Sequence, residues 1–200
     1  LTLYNENYQM PVRPSTPTIE QDIMNGLYKW SEAKPAQHKA TILFSGSAHA
    51  AARAAAEELH AHFDVSAELW SATSYKTLRA VVTERWNRLH PTETPRVPRV
   101  TQLLSESSGP IVAVTDFVRS VPEQIGRYVG ARTFTPLGTD GMGRSDTREA
   151  LRDHFEVDMP HVVVTVLHEL ALSGQISKSV VAEAITRYGI QTETLGALYA

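Results

Sequence analysis

The chain has 200 residues, and its 19 Lys and Arg residues against 22 Asp and Glu residues give a formal net charge of −3. This slightly acidic balance argues against non-specific binding to nucleic acid. There is no cysteine, so disulfides, thiolate nucleophiles and cysteine-ligated metal centres are excluded. No apolar run approaches the ~20 residues that a membrane helix needs, and we expect no membrane contact.

The first residues predict a linker ahead of the domain. Leu1-Thr2-Leu3-Tyr4 is typical of a strand, and the chain begins with Leu rather than Met, so we expect a piece of a larger protein. Three prolines between residues 9 and 18 favour extended backbone. We therefore predict that residues 1–18 are the end of a preceding domain with its linker, and that residues 19–200 form one domain.

Strands and helices alternate through the middle of the chain, which predicts a parallel sheet wrapped by helices. A short helix is predicted at 19–25 and an edge strand at 27–30. Further strands are predicted at 41–44, 65–71, 111–114 and 133–137, and helices at 48–63, 75–89, 100–104 and 121–129. Two helices carry apolar stripes at helical spacing, Ala51, Ala55, Leu59 and Phe63 in the first and Leu78, Val82, Trp86 and Leu89 in the second.

Three helices are predicted to close the chain. Asp146 is expected to cap the first, and Glu149, three residues later, would complete a capping box. Serine or aspartate at the start and glycine at the end mark the other two helices. These helices are expected to begin at Asp158 and Ser177 and to end at Gly174 and Gly189.

No familiar catalytic or ligand-binding motif stands out. Ser45-Gly46-Ser47 lies between a strand and a helix, where doubly wound sheets bind ligands, but it matches neither G-x-G-x-x-G nor G-x-x-x-x-G-K-[ST]. A plain turn is the better interpretation. The histidines lack metal-ligand spacing, and no G-x-S-x-G elbow surrounds a serine. We predict no catalytic, cofactor-binding or metal-binding residue in the chain.

The densest polar segment, residues 138–149, follows the last predicted strand and has three glycines in its first six residues. Asp140 can close an Asx turn. Arg144 and Arg148 can hold an anion or a carboxylate of a partner chain. Two interpretations stay open here, a capped helix with a flexible lead-in and a functional loop at the carboxyl end of a strand.

A second mixed segment, residues 84–91, combines aromatic and basic side chains at the end of a predicted helix. Such a segment could bind a phosphate or a base. Because the whole domain is slightly acidic, a role in an interface or in packing is the stronger prediction.

Several blocks, in this order, resemble one enzyme family. They are Asn5-Glu6-Asn7-Tyr8, Gly26-Leu27-Tyr28-Lys29, Ser45-Gly46-Ser47, residues 71–75, residues 84–98, residues 137–146 and residues 154–158. The sequence resembles the last domain of the homodimeric pyruvate dehydrogenase decarboxylating components, which belong to the transketolase-like thiamine diphosphate enzymes. The resemblance spans essentially the whole chain.

The resemblance implies a three-layer α/β fold with a mostly parallel five-strand sheet, one antiparallel strand and helices on both faces. The strand at 27–30 would be the antiparallel one. In that setting the chain is a structural and dimer-forming domain. The loop that contains Asp140, Arg144, Asp146 and Arg148 would approach the substrate channel or the partner subunit.

The resemblance also implies an activity for the whole protein. The family's enzyme is a cytoplasmic oxidoreductase downstream of glycolysis that decarboxylates pyruvate on thiamine diphosphate and Mg²⁺. It then acetylates the lipoyl group of the acetyltransferase component. The implied partners are the protein's own upstream domains, a second subunit and that lipoyl-bearing component.

The cofactor is expected to bind outside this chain. The G-D-G…N-N motif that holds the diphosphate and the metal in this family is absent from the sequence. The chain alone is therefore predicted to be inactive. The alternative hypothesis is a free-standing α/β module that binds a nucleotide or another anion.

Overall fold

The protein is described here by a computed structural model that covers residues 7–8, 12–197 and 199. The predicted strand at residues 1–4 and the first part of the predicted linker lie outside the described residues. Residues 12–16 form neither helix nor strand, as expected of a linker. The division into residues 1–18 and 19–200 stays a prediction.

Within the described part of the chain, five strands form one sheet in the order β1-β3-β2-β4-β5. Strand β1 runs antiparallel to β3, and the other neighbouring strands are parallel. The predicted mostly parallel sheet with one antiparallel edge strand is thus confirmed. The strands are β1 (Leu27–Ser31), β2 (His38–Phe44), β3 (Val65–Ala72), β4 (Ile111–Val114) and β5 (Phe134–Leu137).

The helices follow the predicted order, with the differences described below. The α-helices of the described residues are α1 (Ile19–Met24), α2 (His49–Phe63), α3 (Tyr75–Leu78), α4 (Val81–Leu89), α5 (Arg99–Leu103), α6 (Ser120–Glu123), α7 (Arg148–His154), α8 (Met159–Leu172) and α9 (Lys178–Tyr188). Asp158 and Ser177 cap α8 and α9 through their side chains, as predicted. No helix among these is long and apolar enough to cross a membrane.

Two apolar cores lie on opposite faces of the sheet. Helices α2, α8 and α9 cover one face, and α3 and α5 contribute to the core on the other. Ile42 and Leu43 are both fully buried and enter different cores, because successive strand residues point to opposite faces. Burial of each such side chain contributes roughly 1.5–3 kcal/mol, so the continuous apolar strands require helices on both faces.

The predicted helix 75–89 is two helices, which corrects the sequence analysis. Arg79 is extended (φ −60°, ψ 125°) and ends α3. Leu78 on α3 is buried, but Val82 and Leu89 on α4 are 80% and 54% exposed. The prediction of a buried apolar stripe is therefore correct at Leu78 and wrong for α4, because the break turns α4 away from the sheet.

Two smaller corrections concern helix ends and faces. The predicted helix 121–129 is α6 followed by a separate 3₁₀ turn at Gly126–Tyr128, since glycine is a poor helix former. On α2 the buried stripe is Ala52, Ala55 and Leu59, while Ala51 is half-buried.

Candidate functional site

The carboxyl ends of β2, β4 and β5 meet at one edge of the sheet because these strands are parallel. The connection from β2 leads to β3 on one side, and the connection from β4 leads to β5 on the other. Strand order thus reverses between β2 and β4. Open α/β sheets bind ligands at such a switch point, so this edge is the candidate functional site.

Asp116 lies where a nucleotide-binding sheet would receive a phosphate. Its Oδ2 accepts a hydrogen bond from the Ser47 backbone N–H at 2.9 Å. Gly46 lies in the left-handed region with φ +59°, and a Cβ at this position would collide with the Asp116 carboxylate. A carboxylate so placed repels a second anion. The geometry therefore argues against the nucleotide or anion module.

A buried set of hydroxyl groups lies beneath this edge. The Ser45 and Thr115 hydroxyl oxygens are 2.6 Å apart. Burial raises the pKa of Tyr75 well above its ordinary value, and the neighbouring Ser45 hydroxyl opposes only part of that shift. Ser74 caps α3 by accepting from the Thr77 N–H at 3.2 Å. Ser45 and Ser74 thus have structural roles in this edge of the sheet.

Residues 138–148, called the candidate loop below, connect β5 to α7, and the first of them are fastened to the loop after β4. The Thr139 N–H donates to the Phe117 carbonyl at 2.9 Å, and the Thr139 hydroxyl donates to the Asp116 carbonyl at 3.1 Å. A Cβ on Gly138 would lie 2.5 Å from the Phe117 carbonyl oxygen. Only glycine allows the two backbones to approach this closely.

Asp140 completes this fastening through Arg119. Its Oδ1 accepts from the Arg119 backbone N–H at 2.8 Å, and its Oδ2 accepts from Arg119 Nε at 2.6 Å. Burial would raise the pKa of the Asp140 carboxyl, but the hydrogen bonds and charge of Arg119 outweigh burial and lower it. The predicted Asx turn is wrong, because the carboxylate binds the neighbouring loop instead.

Residues 141–147, called the loop tip below, are all exposed. Among the described residues, Arg144 has no hydrogen-bond or ion-pair partner. The predicted cap at Asp146 is wrong by one residue, since α7 begins at Arg148 and Thr147 accepts from the Ala150 N–H at 3.2 Å. Asp146 instead accepts from the Thr147 N–H at 2.7 Å, and the capping box with Glu149 is not formed.

Arg148, at the far end of the loop, contacts the N-terminal segment. Arg148 Nη1 and Arg152 Nη2 donate to the Tyr8 hydroxyl at 3.1 and 3.3 Å. The ring of Tyr8 lies edge-on to His49, with centroids 6.3 Å apart. His49 is half-buried.

A cleft of about 190 Å³ lies beside these groups. Its polar wall includes Ser47, Thr115, Asp116, Thr139, Arg148 and Arg152. Arg148 was predicted as a residue of the candidate loop, whereas Asp116 and Arg152 were not predicted as site residues. Tyr8 belongs to the block Asn5-Glu6-Asn7-Tyr8, but no spacing rule could place it beside α7, about 140 residues later.

One group of possible metal ligands occurs in the described part of the chain, Asp153, Asp158 and His161, with ligand atoms within 4.8 Å of one another. His161 Nδ1 lies 2.6 Å from Asp158 Oδ1, which also accepts the His161 backbone N–H. Burial lowers the pKa of His161, but Asp158 and the charges of Glu156 and Asp153 outweigh burial and raise it.

Asp153, Asp158 and His161 do not fit a site in which a divalent cation holds a diphosphate. Asp158 is already used as the cap of α8 and as the partner of His161. At the sheet edge, the Asp116 carboxylate already accepts the Ser47 backbone N–H, which lies in the turn that follows β2. The residues at the sheet edge therefore favour contacts between segments of protein over binding of thiamine diphosphate.

Comparison with known proteins identifies the family. A family model described as the transketolase-like TK C-terminal domain matches residues 26–158. The chain belongs to this family. A split-gene transketolase, solved as an inactive β4 tetramer, has a TM-score of 0.53 and 17% identity, with 74% of this chain and 43% of that chain covered. This likeness agrees with the fold.

Curated relatives share more of the sequence. The pyruvate dehydrogenase E1 component of Escherichia coli K12 is 44% identical over 195 residues, which are 96% of this chain and 22% of that protein. The corresponding protein of Mycolicibacterium smegmatis is 44% identical over 193 residues, 95% of this chain and 21% of that protein. The chain thus spans about a fifth of the length of these relatives, and the predicted resemblance is confirmed.

Proposed function

We propose that the chain acts as the C-terminal, subunit-contacting domain of a pyruvate dehydrogenase E1 component. The observation that carries this proposal is the 44% identity to the Escherichia coli protein over 96% of the chain. The aligned region includes the sheet, both cores and the loop between β5 and α7. The nucleotide-module alternative has no comparable support, and Asp116 opposes it.

In this proposal the whole protein decarboxylates pyruvate on thiamine diphosphate with Mg²⁺. The two-carbon unit is oxidised to the acetyl level as the lipoyl disulfide of the acetyltransferase component is reduced, and the acetyl group passes to a lipoyl sulfur. The present chain supplies no group to the diphosphate or the metal. It supplies a sheet edge from which the loop tip projects.

The proposed setting is a cytoplasmic homodimer that uses the pyruvate made by glycolysis. The protein's upstream domains, the second subunit and the lipoyl-bearing component are the proposed partners. Within the candidate loop, Asp140 and Arg148 hold the two ends through Arg119 and Tyr8. Arg144 on the exposed tip is the residue that we propose faces the substrate channel or the partner subunit.

A comparison of the 200-residue chain with the full-length protein tests the proposal. Calorimetry with thiamine diphosphate and Mg²⁺ should show tight binding to the full-length protein and none to the shorter chain. Only the full-length protein should acetylate a lipoyl domain when given pyruvate. Circular dichroism of the shorter chain shows first that it is folded. Tight one-to-one binding of the cofactor by the folded 200-residue chain would contradict the proposal.

A further inference from the structure

The side chain of Tyr8 joins three parts of the molecule. Its hydroxyl accepts hydrogen bonds from Arg148 and Arg152 on α7, and its ring contacts His49 at the start of α2. Arg148 and Arg152 are four residues apart, so they project from the same face of α7. Tyr8 itself lies in the segment that precedes the domain and is half-buried by these contacts.

The contacts of Tyr8 involve charged groups of the domain. Both donors are guanidinium groups, and a hydrogen bond from a charged donor is stronger than one between neutral groups. A second described contact of the linker is the ion pair of Arg13 and Glu20 at 3.8 Å, and it contributes little because both side chains are more than half exposed. Among its described residues, the linker is therefore anchored to the domain chiefly through Tyr8.

The anchor acts on the candidate loop because α7 begins where the loop tip ends. Thr147 caps α7, and Arg148 is the first residue of the helix. The opposite end of the loop is held through Asp140 and Arg119. The orientation of α7 therefore determines where the tip, with Arg144, leaves the domain.

We propose that Tyr8 is a positioning residue that fastens the N-terminal segment to α7 and thereby sets the placement of the loop tip. This inference rests on the proposed function, since it gives the preceding part of the protein a direct mechanical link to the loop that we assign to the channel or the subunit interface. Tyr8 acts through Arg148 and Arg152 and contacts no reacting group.

The test uses the full-length protein with the substitution Tyr8→Phe, which keeps the ring and removes the hydroxyl. Tyr188→Phe is the matched control, because the Tyr188 hydroxyl also bonds a charged side chain, donating to Glu58 Oε2 at 2.9 Å. Hydrogen exchange of the α7 amides and the kcat and KM for pyruvate are measured for both variants and for the unsubstituted protein, together with the melting temperature.

Tyr8→Phe is expected to speed exchange of the α7 amides about five-fold or more, since hydrogen bonds to charged groups are lost. It should also lower kcat/KM for pyruvate by a similar factor, while the melting temperature falls no further than in Tyr188→Phe. The control should leave both the exchange of α7 and kcat/KM unchanged.

The two readouts separate the possible failures. Unchanged exchange of α7 in Tyr8→Phe would overturn the anchor. Faster exchange with kcat/KM equal to that of the control would overturn the positioning role. If the unsubstituted protein shows no pyruvate turnover, the proposed function fails, and the exchange measurement alone then decides whether Tyr8 holds α7.

Discussion

The two halves of the candidate loop have similar polar sequences and opposite structural roles. Residues 138–140 are bonded to the loop after β4 through Phe117 and Arg119, whereas residues 141–147 are exposed throughout. The difference shows that glycine and charge density alone do not identify the part of a loop that is available to a partner. Contacts from elsewhere in the fold hold the first half and leave the second half accessible.

The largest effect is expected from a pair of glycine substitutions that contrast the two halves. Gly138→Ala should lower the free energy of unfolding by about 2–3 kcal/mol, because the new Cβ would meet backbone atoms of Phe117 and Arg119. Gly143→Ala should change it by less than about 0.5 kcal/mol, since a Cβ there has no atom within 4 Å. Urea unfolding of both variants checks this, and equal effects would remove the contrast.

Removing the charge of Asp140 should have a smaller effect that depends on pH. Because the folded state lowers the pKa of this carboxyl, its contribution to stability is present at neutral pH and is lost as the pH falls through the lowered pKa. Asp140→Asn should cost about 1 kcal/mol at pH 7, and the difference from the unsubstituted protein should shrink below about pH 4. Denaturant unfolding at several pH values measures the difference in the free energy of unfolding. A difference that does not change with pH would contradict this prediction.

The cap of α7 offers the next comparison, between two neighbouring residues. Thr147→Ala should lower stability by about 1 kcal/mol, because it removes the acceptor for the Ala150 N–H. Asp146→Ala should cost less, since among the described residues its carboxylate binds only the adjacent Thr147 N–H. Thermal melts show which variant loses more stability. A larger loss for Asp146→Ala would support Asp146 as the cap, as predicted from the sequence.

The smallest effect on stability is expected at Arg144, on the exposed tip. Arg144→Ala should leave the melting temperature unchanged, because the side chain has no partner among the described residues. In the full-length protein it should weaken dimerisation or lower pyruvate turnover. Arg53→Ala, at another exposed arginine, is the control and should change neither. If Arg144→Ala matches this control in every measurement, the tip is only a connector.

Much of the architecture follows from local chemistry and was predictable. The strand β2 contains an apolar run without alternation, and a strand of that kind needs cover on both faces. Asp158 and Ser177 cap α8 and α9 because a short polar side chain accepts from the free N–H groups of the first turn. These features depend on residues close together in the chain, so the pattern of the sequence was sufficient.

The candidate site depended on the tertiary structure. Asp116 and Asp140 have partners contributed by other loops, and Tyr8 meets α7 from the opposite end of the chain. The exposed stripe of α4 could not be anticipated either, because helical spacing shows that a face is apolar and does not show what lies opposite it.

The succession of strands and helices along the chain, the buried strands and the family are thus all predictable from the amino-acid sequence. The folded structure is needed to show which polar residues of the sheet edge bind one another and that Arg144 is exposed. This division reflects the range of the interactions. Capping and apolar periodicity act over a few residues, whereas ion pairs and close backbone contacts depend on which strand ends the fold brings together.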